Sequence, residues 1–348
     1  MLKFNFSDTE LVQLITHKTG NKHKNEALFL AKELTEVSEE SGSLLMEYFL
    51  QDFKLPEFYG FSYSQNPNEN NIYSYVKEIF DSEENLISAS AKIAQRLYDS
   101  SEHPNIKTGE LNIAYFNNLQ LGDEITDGIG IFKSEQRTPY LKMNEQTNNY
   151  QINHDYGIEI KKIDKACIIF NTNEKYGYVV LIIDNVNKSN DAQYWKNEFL
   201  NVKPLNDDFY NTKEFLTIAK DFVSKQLPEE FEINRTDKIQ LLNRSIDYFK
   251  SNEHFNKTDF EEQVFQDEQL IDSFRNYDQA FRTENNIQIA DEFDISGHAV
   301  KKQSRVFKSV LKLDKNFHVY IHGDKNLIEK GTENDGRKFY KIYYENET

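Results

Sequence analysis

The spacing of apolar positions changes several times along this 348-residue chain. "ELVQLITHKTGNK" (residues 10–22) predicts a strand ending in a Gly-Asn turn. "SGSLLMEYFLQDF" places Leu45, Tyr48, Phe49 and Phe53 near helical spacing, and a loop follows at Asn66–Asn71. "NLISASAKIAQRLYDS" predicts an amphipathic helix with Leu86, Ala89, Ser90, Ile93, Ala94 and Leu97 on one side, ending before His103-Pro104. The period then shortens. "GELNIAYFNN", "GIGIFKSE", "KACIIF" and "YGYVVLIIDN" are short β-branched and aromatic runs separated by Gly, Asn and Asp, as in an antiparallel sheet. "DAQYWKNEFL" and "KEFLTIAKDFVSKQL" return to helix, with a stop at Pro228.

Beyond "LPEEFEINR", a candidate domain boundary, the pattern is helical again. In "TDKIQLLNRSIDYFK", Thr236 is a candidate N-cap and Ile239, Leu242, Ile246 and Phe249 share a stripe. Thr258 to Glu261 has capping-box spacing. "LIDSFRNYDQAF" continues through Leu270, Phe274, Tyr277 and Phe281. In "DISGHAVKKQSR", Ser296 should cap a short helix with Ala299 and Val300 inward and Lys301, Lys302 and Arg305 outward. A hairpin turning at Asp314-Lys315-Asn316 follows, with Lys308 and Lys312 on one face of its first strand, and "RKFYKIYY" makes a last strand. The expected fold is α+β in two domains. Residues 1–227 form an antiparallel sheet with flanking helices; residues 228–348 combine acidic helices with a β-rich basic C-terminal end.

Composition adds a large aromatic reserve: 26 Phe and 20 Tyr, but one Trp, enough to build sizeable cores. No apolar run approaches the ~20 residues of a membrane span. "MLKFNFSDTE" has neither the apolar stretch nor the cleavage site of a secretion signal. Cys167 is the single cysteine, so no intramolecular disulfide forms; a buried, inert thiol in a reducing cytoplasm is expected.

Charge changes the picture most. The net formal charge is −17, and a surface so acidic repels a polyanion at long range. Its distribution is uneven. Residues 226–295 carry 7 Lys+Arg against 17 Asp+Glu, a net −10, whereas residues 296–348 carry 11 against 7, a net +4. Lys301, Lys302, Arg305, Lys308, Lys312 and Lys315 face a single acid, Asp314, within residues 299–323. From the residues alone this stretch has two readings. It solvates a β-rich surface or pairs with the acidic helices before it, or it grips phosphates without reading bases, with Tyr320 against sugars or bases.

Catalytic motifs are missing: no phosphate loop, no H-E-x-x-H, no C-x-x-C and no G-x-S-x-G. His318 and His322 lie four apart on a strand, about 13 Å at ~3.3 Å per residue, too far for one zinc ion. Glu159-x-Lys161, expected on a strand and with Asp123 or Asp127 nearby, has the form of a Mg²⁺-nuclease pair, but alternating charges on an exposed strand face are the better reading. Lys133 and Glu135 suggest a same-face ion pair, and Tyr194-Trp195 a core anchor. No catalytic residue, metal or cofactor is expected.

"HPNIKTGEL", "GIGIFKSE", "IDKACIIF", "NDAQYW" and above all "FDISGHAVKKQSRVFKSVLKLDKNFHVYIHG" resemble, in order and over nearly the whole chain, the blocks of the bacterial 37-kDa nucleoid-associated protein family, as a divergent subgroup. The resemblance implies a cytoplasmic, nucleoid-located protein without catalytic residues. It implies double-stranded DNA as partner, a link to type II topoisomerases or another nucleoid protein in the best-known branch, and no membrane; it leaves self-association open. The function expected is local, sequence-tolerant DNA binding through the six basic residues. The alternatives are an acidic adaptor recruited by a DNA-bound protein such as a type II topoisomerase and, below it, the Mg²⁺-dependent nuclease.

Overall fold

The computed structural model describes residues 3–54, 57–186, 194–233, 235–304, 307, 310–313, 317–320, 328–333 and 335–344. By contacts the chain divides into two compact units, Leu2–Leu205 and Asn206–Thr348. This division falls ahead of the Pro228 stretch because Phe215, Leu216, Phe222 and Leu227 belong to the core of the second unit.

The first unit contains, in chain order, β1 (Phe4–Asn5), β2 (Glu10–Thr19), α1 (Glu39–Leu50), β3 (Phe58–Phe61), α2 (Asn71–Asp81), α3 (Leu86–Asp99), β4 (Gly109–Leu121) and β5 (Glu124–Ser134). It continues with β6 (Thr138–Glu145), β7 (Tyr150–Gly157), β8 (Lys165–Phe170), β9 (Val179–Asp184), a π-helical turn at Tyr194–Leu200 and β10 (Val202–Pro204). Eight of these strands form one antiparallel sheet in the order β1-β4-β5-β8-β9-β3-β10, with β2 also on β4; β6 and β7 form a separate two-stranded pair.

Both faces of this sheet are covered. Ile113, Ile131, Cys167, Ile169 and Val180 share a core with α2, α3, Trp195 and Phe199. The alternate positions Ala114, Phe132, Ala166, Ile168 and Leu181 share another with Tyr48, Phe49 and Leu50 of α1. Period-2 alternation therefore assigns faces but does not appear as apolar-polar alternation, which is why "KACIIF" is uninterrupted. Phe49 stacks on Phe132 with ring centroids 4.0 Å apart. Gly130 leaves that ring its room, since a Cβ there would lie 2.3 Å from it.

The second unit contains α4 (Asp208–Asp221), a π-helical turn at Phe222–Gln226, α5 (Leu227–Glu230), α6 (Arg235–Ser251), β11 (His254–Asn256), α7 (Lys257–Val264), α8 (Glu268–Glu284), β12 (Glu292–Asp294) and α9 (Gly297–Ser304). The antiparallel pairs β13 (Val310–Leu313) with β14 (Phe317–Tyr320), and β15 (Ile328–Thr332) with β16 (Lys338–Ile342), follow. Its core is a cluster of phenylalanines around Phe215, Phe249, Phe255, Phe260 and Phe274. The α+β expectation holds in this mixture of an antiparallel sheet and helices.

Some local expectations are corrected. α6 begins at Arg235, so Thr236 lies inside the helix rather than at its cap. α7 is capped by Asn256, whose Oδ1 accepts from the N–H groups of Thr258 and Asp259 at 3.0 and 3.1 Å. Asn carries both acceptor and extended backbone there, so Thr258 is drawn into the first turn. "GIEIKK" is not a strand; β7 ends at Gly157 and the chain turns at Ile160-Lys161.

Candidate nucleic-acid interface

The basic stretch opens with α9, and its N-terminus is fixed. Ser296 is buried and donates its backbone N–H to Thr212 Oγ1 of α4 at 3.0 Å. Its Oγ accepts from the Ala299 N–H at 3.4 Å, the cap expected from the sequence. Ala299 and Val300 are buried. The 3.6-residue period then turns Lys301 and Lys302 to solvent, where both are exposed. Lys302 Nζ lies 5.5 Å from the centroid of the Phe209 ring, within cation-π range. Both lysines occupy the last turn of α9, where positive charge also complements the helix dipole.

Lys301 lines a cavity of about 880 Å³ with Asp208, Lys250, Glu253, His254 and Asp294, over a floor that includes Phe249 and Val300. His254 Nδ1 stands 2.9 Å from Asp294 Oδ1 at its rim. Lys312 sits on β13 opposite His318 of β14, in the hairpin the spacing predicts. Arg305, Lys308 and Lys315, like Asp314, Asn316 and His322, lie outside the described residues. α9 therefore brings together two of the six predicted residues, Lys301 and Lys302.

The acidic helices are partly self-compensating. Asp278 is buried between Lys257 Nζ at 2.6 Å and Arg282 Nε at 2.7 Å. Glu261, equally buried, receives Arg275 Nη2 at 2.8 Å. Each such pair removes one charge of either sign, so the net −10 of residues 226–295 remains with the other acids.

The catalytic candidates separate. Glu159 and Lys161 are exposed around a turn, whereas Asp127 accepts from the Tyr115 hydroxyl at 3.0 Å. Among the described residues, no three His, Cys, Asp or Glu side chains converge as a metal site. Lys133 and Glu135 do pair, at 2.9 Å, but both side chains are buried. Lys133 Nζ also donates to the Lys107 carbonyl at 2.8 Å and meets the Tyr194 hydroxyl at 3.3 Å. Its cross-strand neighbour Lys165 is buried too and reaches Asp184 at 2.7 Å. Burial pulls the Lys133 ammonium below its ordinary range against the opposing pull of Glu135, and lifts the Tyr194 phenol well above its own. Tyr194 and Trp195 are buried, as a core anchor should be, and so is the Cys167 thiol, which burial pushes up.

Set beside known proteins, this two-unit α+β chain falls among the nucleoid-associated proteins. Residues 15–337 match the family NA37, described as nucleoid-associated protein YejK, and the chain belongs to that family. No curated protein matches it. No helix among the described residues is long and apolar enough to cross a membrane.

Proposed function

We propose that the protein binds duplex DNA locally, with little sequence preference, as a non-catalytic component of the bacterial nucleoid in the cytoplasm. The contact is the basic surface centred on Lys301, Lys302, Arg305, Lys308, Lys312 and Lys315. The observation that carries this reading is α9 itself. Ala299 and Val300 anchor it while Lys301 and Lys302 stand in solvent, at the start of the basic stretch of an otherwise acidic family member. Phosphate neutralisation supplies sequence-independent affinity, and a surface confined to one segment lets the acidic remainder stay clear of the duplex.

The test is fluorescence anisotropy of a labelled duplex at several salt concentrations, comparing wild type with Lys301→Glu/Lys302→Glu/Arg305→Glu. Each lost phosphate contact flattens the plot of log K against log [salt] by about 0.9. Weaker binding with a flatter slope is expected. An unchanged affinity and slope in a folded variant would remove the patch from the contact.

A second reading is supported by the acids Asp208, Glu253 and Asp294, which line the same cavity as Lys301. In it the protein is an adaptor that reaches the nucleoid through a DNA-bound protein, a type II topoisomerase being the family-based candidate. It predicts no duplex binding at ~50 mM salt, where phosphate contacts are strongest, together with retention of a chromosomal protein by the full chain.

A further inference from the structure

β6 and β7 leave the main sheet between its adjacent strands β5 and β8 and form a separate ribbon. A two-stranded ribbon is marginal in water by itself. Its root is firmly held. The buried Asp164 carboxylate accepts from the Glu135 and Gln136 backbone N–H groups at 2.6 and 2.9 Å, and from Gln136 Nε2 at 2.9 Å. The Lys133–Glu135 pair lies directly before it.

Register sorts the ribbon into two unlike faces. Tyr140, Lys142, Asn144, Gln151, Asn153 and Asp155 share one. It is polar, with Lys142 Nζ 2.8 Å from Asp155 Oδ2 and 5.6 Å from the Tyr140 ring centroid. The other face carries Pro139, Leu141, Met143, Tyr150, Ile152 and Tyr156, with Glu145 and His154 its only ionisable side chains besides the two phenols. Its large apolar side chains stand in solvent, from 59% exposed at Tyr156 to 67% at Leu141. A contiguous apolar face on a ribbon fixed at its root is the form of an interface before association.

We propose that this face packs against the same face of a second copy of the chain, the two ribbons forming a two-layer sandwich about a two-fold axis. Area supports it. Five side chains at these exposures, each presenting roughly 200 Å² when open, offer about 600 Å² per copy and about 1,200 Å² per pair, the lower edge of a standard interface. Chemistry supports it too. Like apolar faces are self-complementary under two-fold symmetry, and tyrosine is enriched at such contacts. Duplex DNA fits less well, because the ribbon carries Lys142 against Glu145 and Asp155, a net −1.

Sedimentation of the full chain at micromolar concentration tests the pairing. Wild type is expected at twice the 41.1 kDa chain mass. Leu141→Asn/Ile152→Asn is expected at the single mass, with unchanged circular dichroism and Trp195 fluorescence. The native thiol is buried, so introduced cysteines report alone. In an otherwise wild-type chain, Ile152→Cys should be protected from a thiol reagent, and Asn153→Cys on the polar face should react freely. A dimer unaffected by the double substitution would overturn the proposal. A monomeric wild type would also overturn it and leave the face to a different protein, or to DNA if the double variant then loses duplex affinity.

Discussion

His17 shows what a single polar residue inside a strand commits the chain to. Its Nδ1 accepts the Ala31 N–H at 3.0 Å, so the neutral ring carries its proton on Nε2, 3.0 Å from Ser90 Oγ. That hydroxyl in turn donates to the Ile87 carbonyl at 2.9 Å. A second ring proton would face an N–H donor in a buried site, and burial lowers the pKa from 6.5 to about 4. The unfolded chain binds that proton near pH 6.5, so the stability His17 contributes is whole above this pH and is lost as pH falls towards 4. The loss amounts to about 3 kcal/mol in all. Urea unfolding followed by Trp195 fluorescence across this range should show the decline, and His17→Gln should flatten it. An equal decline in the variant would place the titration in other groups. Nothing in "LITHK" separates His17 from the exposed Lys18, because its partner Ser90 is 73 residues away. Lys133 is similar: its pairing with Glu135 is legible from an i, i+2 spacing. Its burial is not, because the Tyr194 hydroxyl is contributed from 61 residues further on.

At the level of elements, periodicity located most of the structure and failed where two signals competed. The strands at Gly109, Gly128, Lys165 and Val179 and the helices at Leu86 and Leu270 stood out because burial repeats at their own period. α2 was hidden behind the polar run Asn66–Asn71, although Asn70 is its cap and accepts the Tyr73 N–H at 3.1 Å. The β6–β7 ribbon is hard to read from the sequence although Leu141 and Met143, and Tyr150 and Ile152, alternate, since the intervening positions are rich in Asn and Gln, which favour loops. For α7, local spacing favoured Thr258 while geometry chose Asn256. Asn256→Ala should therefore cost about 1 kcal/mol, whereas Thr258→Ala should stay within a few tenths, close to its propensity difference. Denaturant midpoints of the two variants decide between the caps; the reverse order would restore the sequence-based assignment.

For the whole molecule, charge polarity was the most legible property, because charge sums along a sequence without reference to its fold. Which lysines share a surface requires the fold, and α9 supplies that answer for Lys301 and Lys302. The aromatic reserve was equally legible, but not its division into separate cores. Trp195, the only tryptophan, lies in the sheet core of the first unit, whereas the second unit is built around phenylalanines. Fluorescence thus reports the first unit, while far-UV circular dichroism is weighted towards the helices α4–α9 of the second. With its own core, each unit should unfold as its own cooperative step, so urea curves from the two probes should not coincide. The His17 titration then has a further consequence. Lowering pH from 6.5 towards 4 should move the fluorescence midpoint of wild type relative to His17→Gln, while leaving the circular-dichroism step of the second unit at the same midpoint in both proteins. Superimposable curves at every pH would mean that the two cores melt as one cooperative unit.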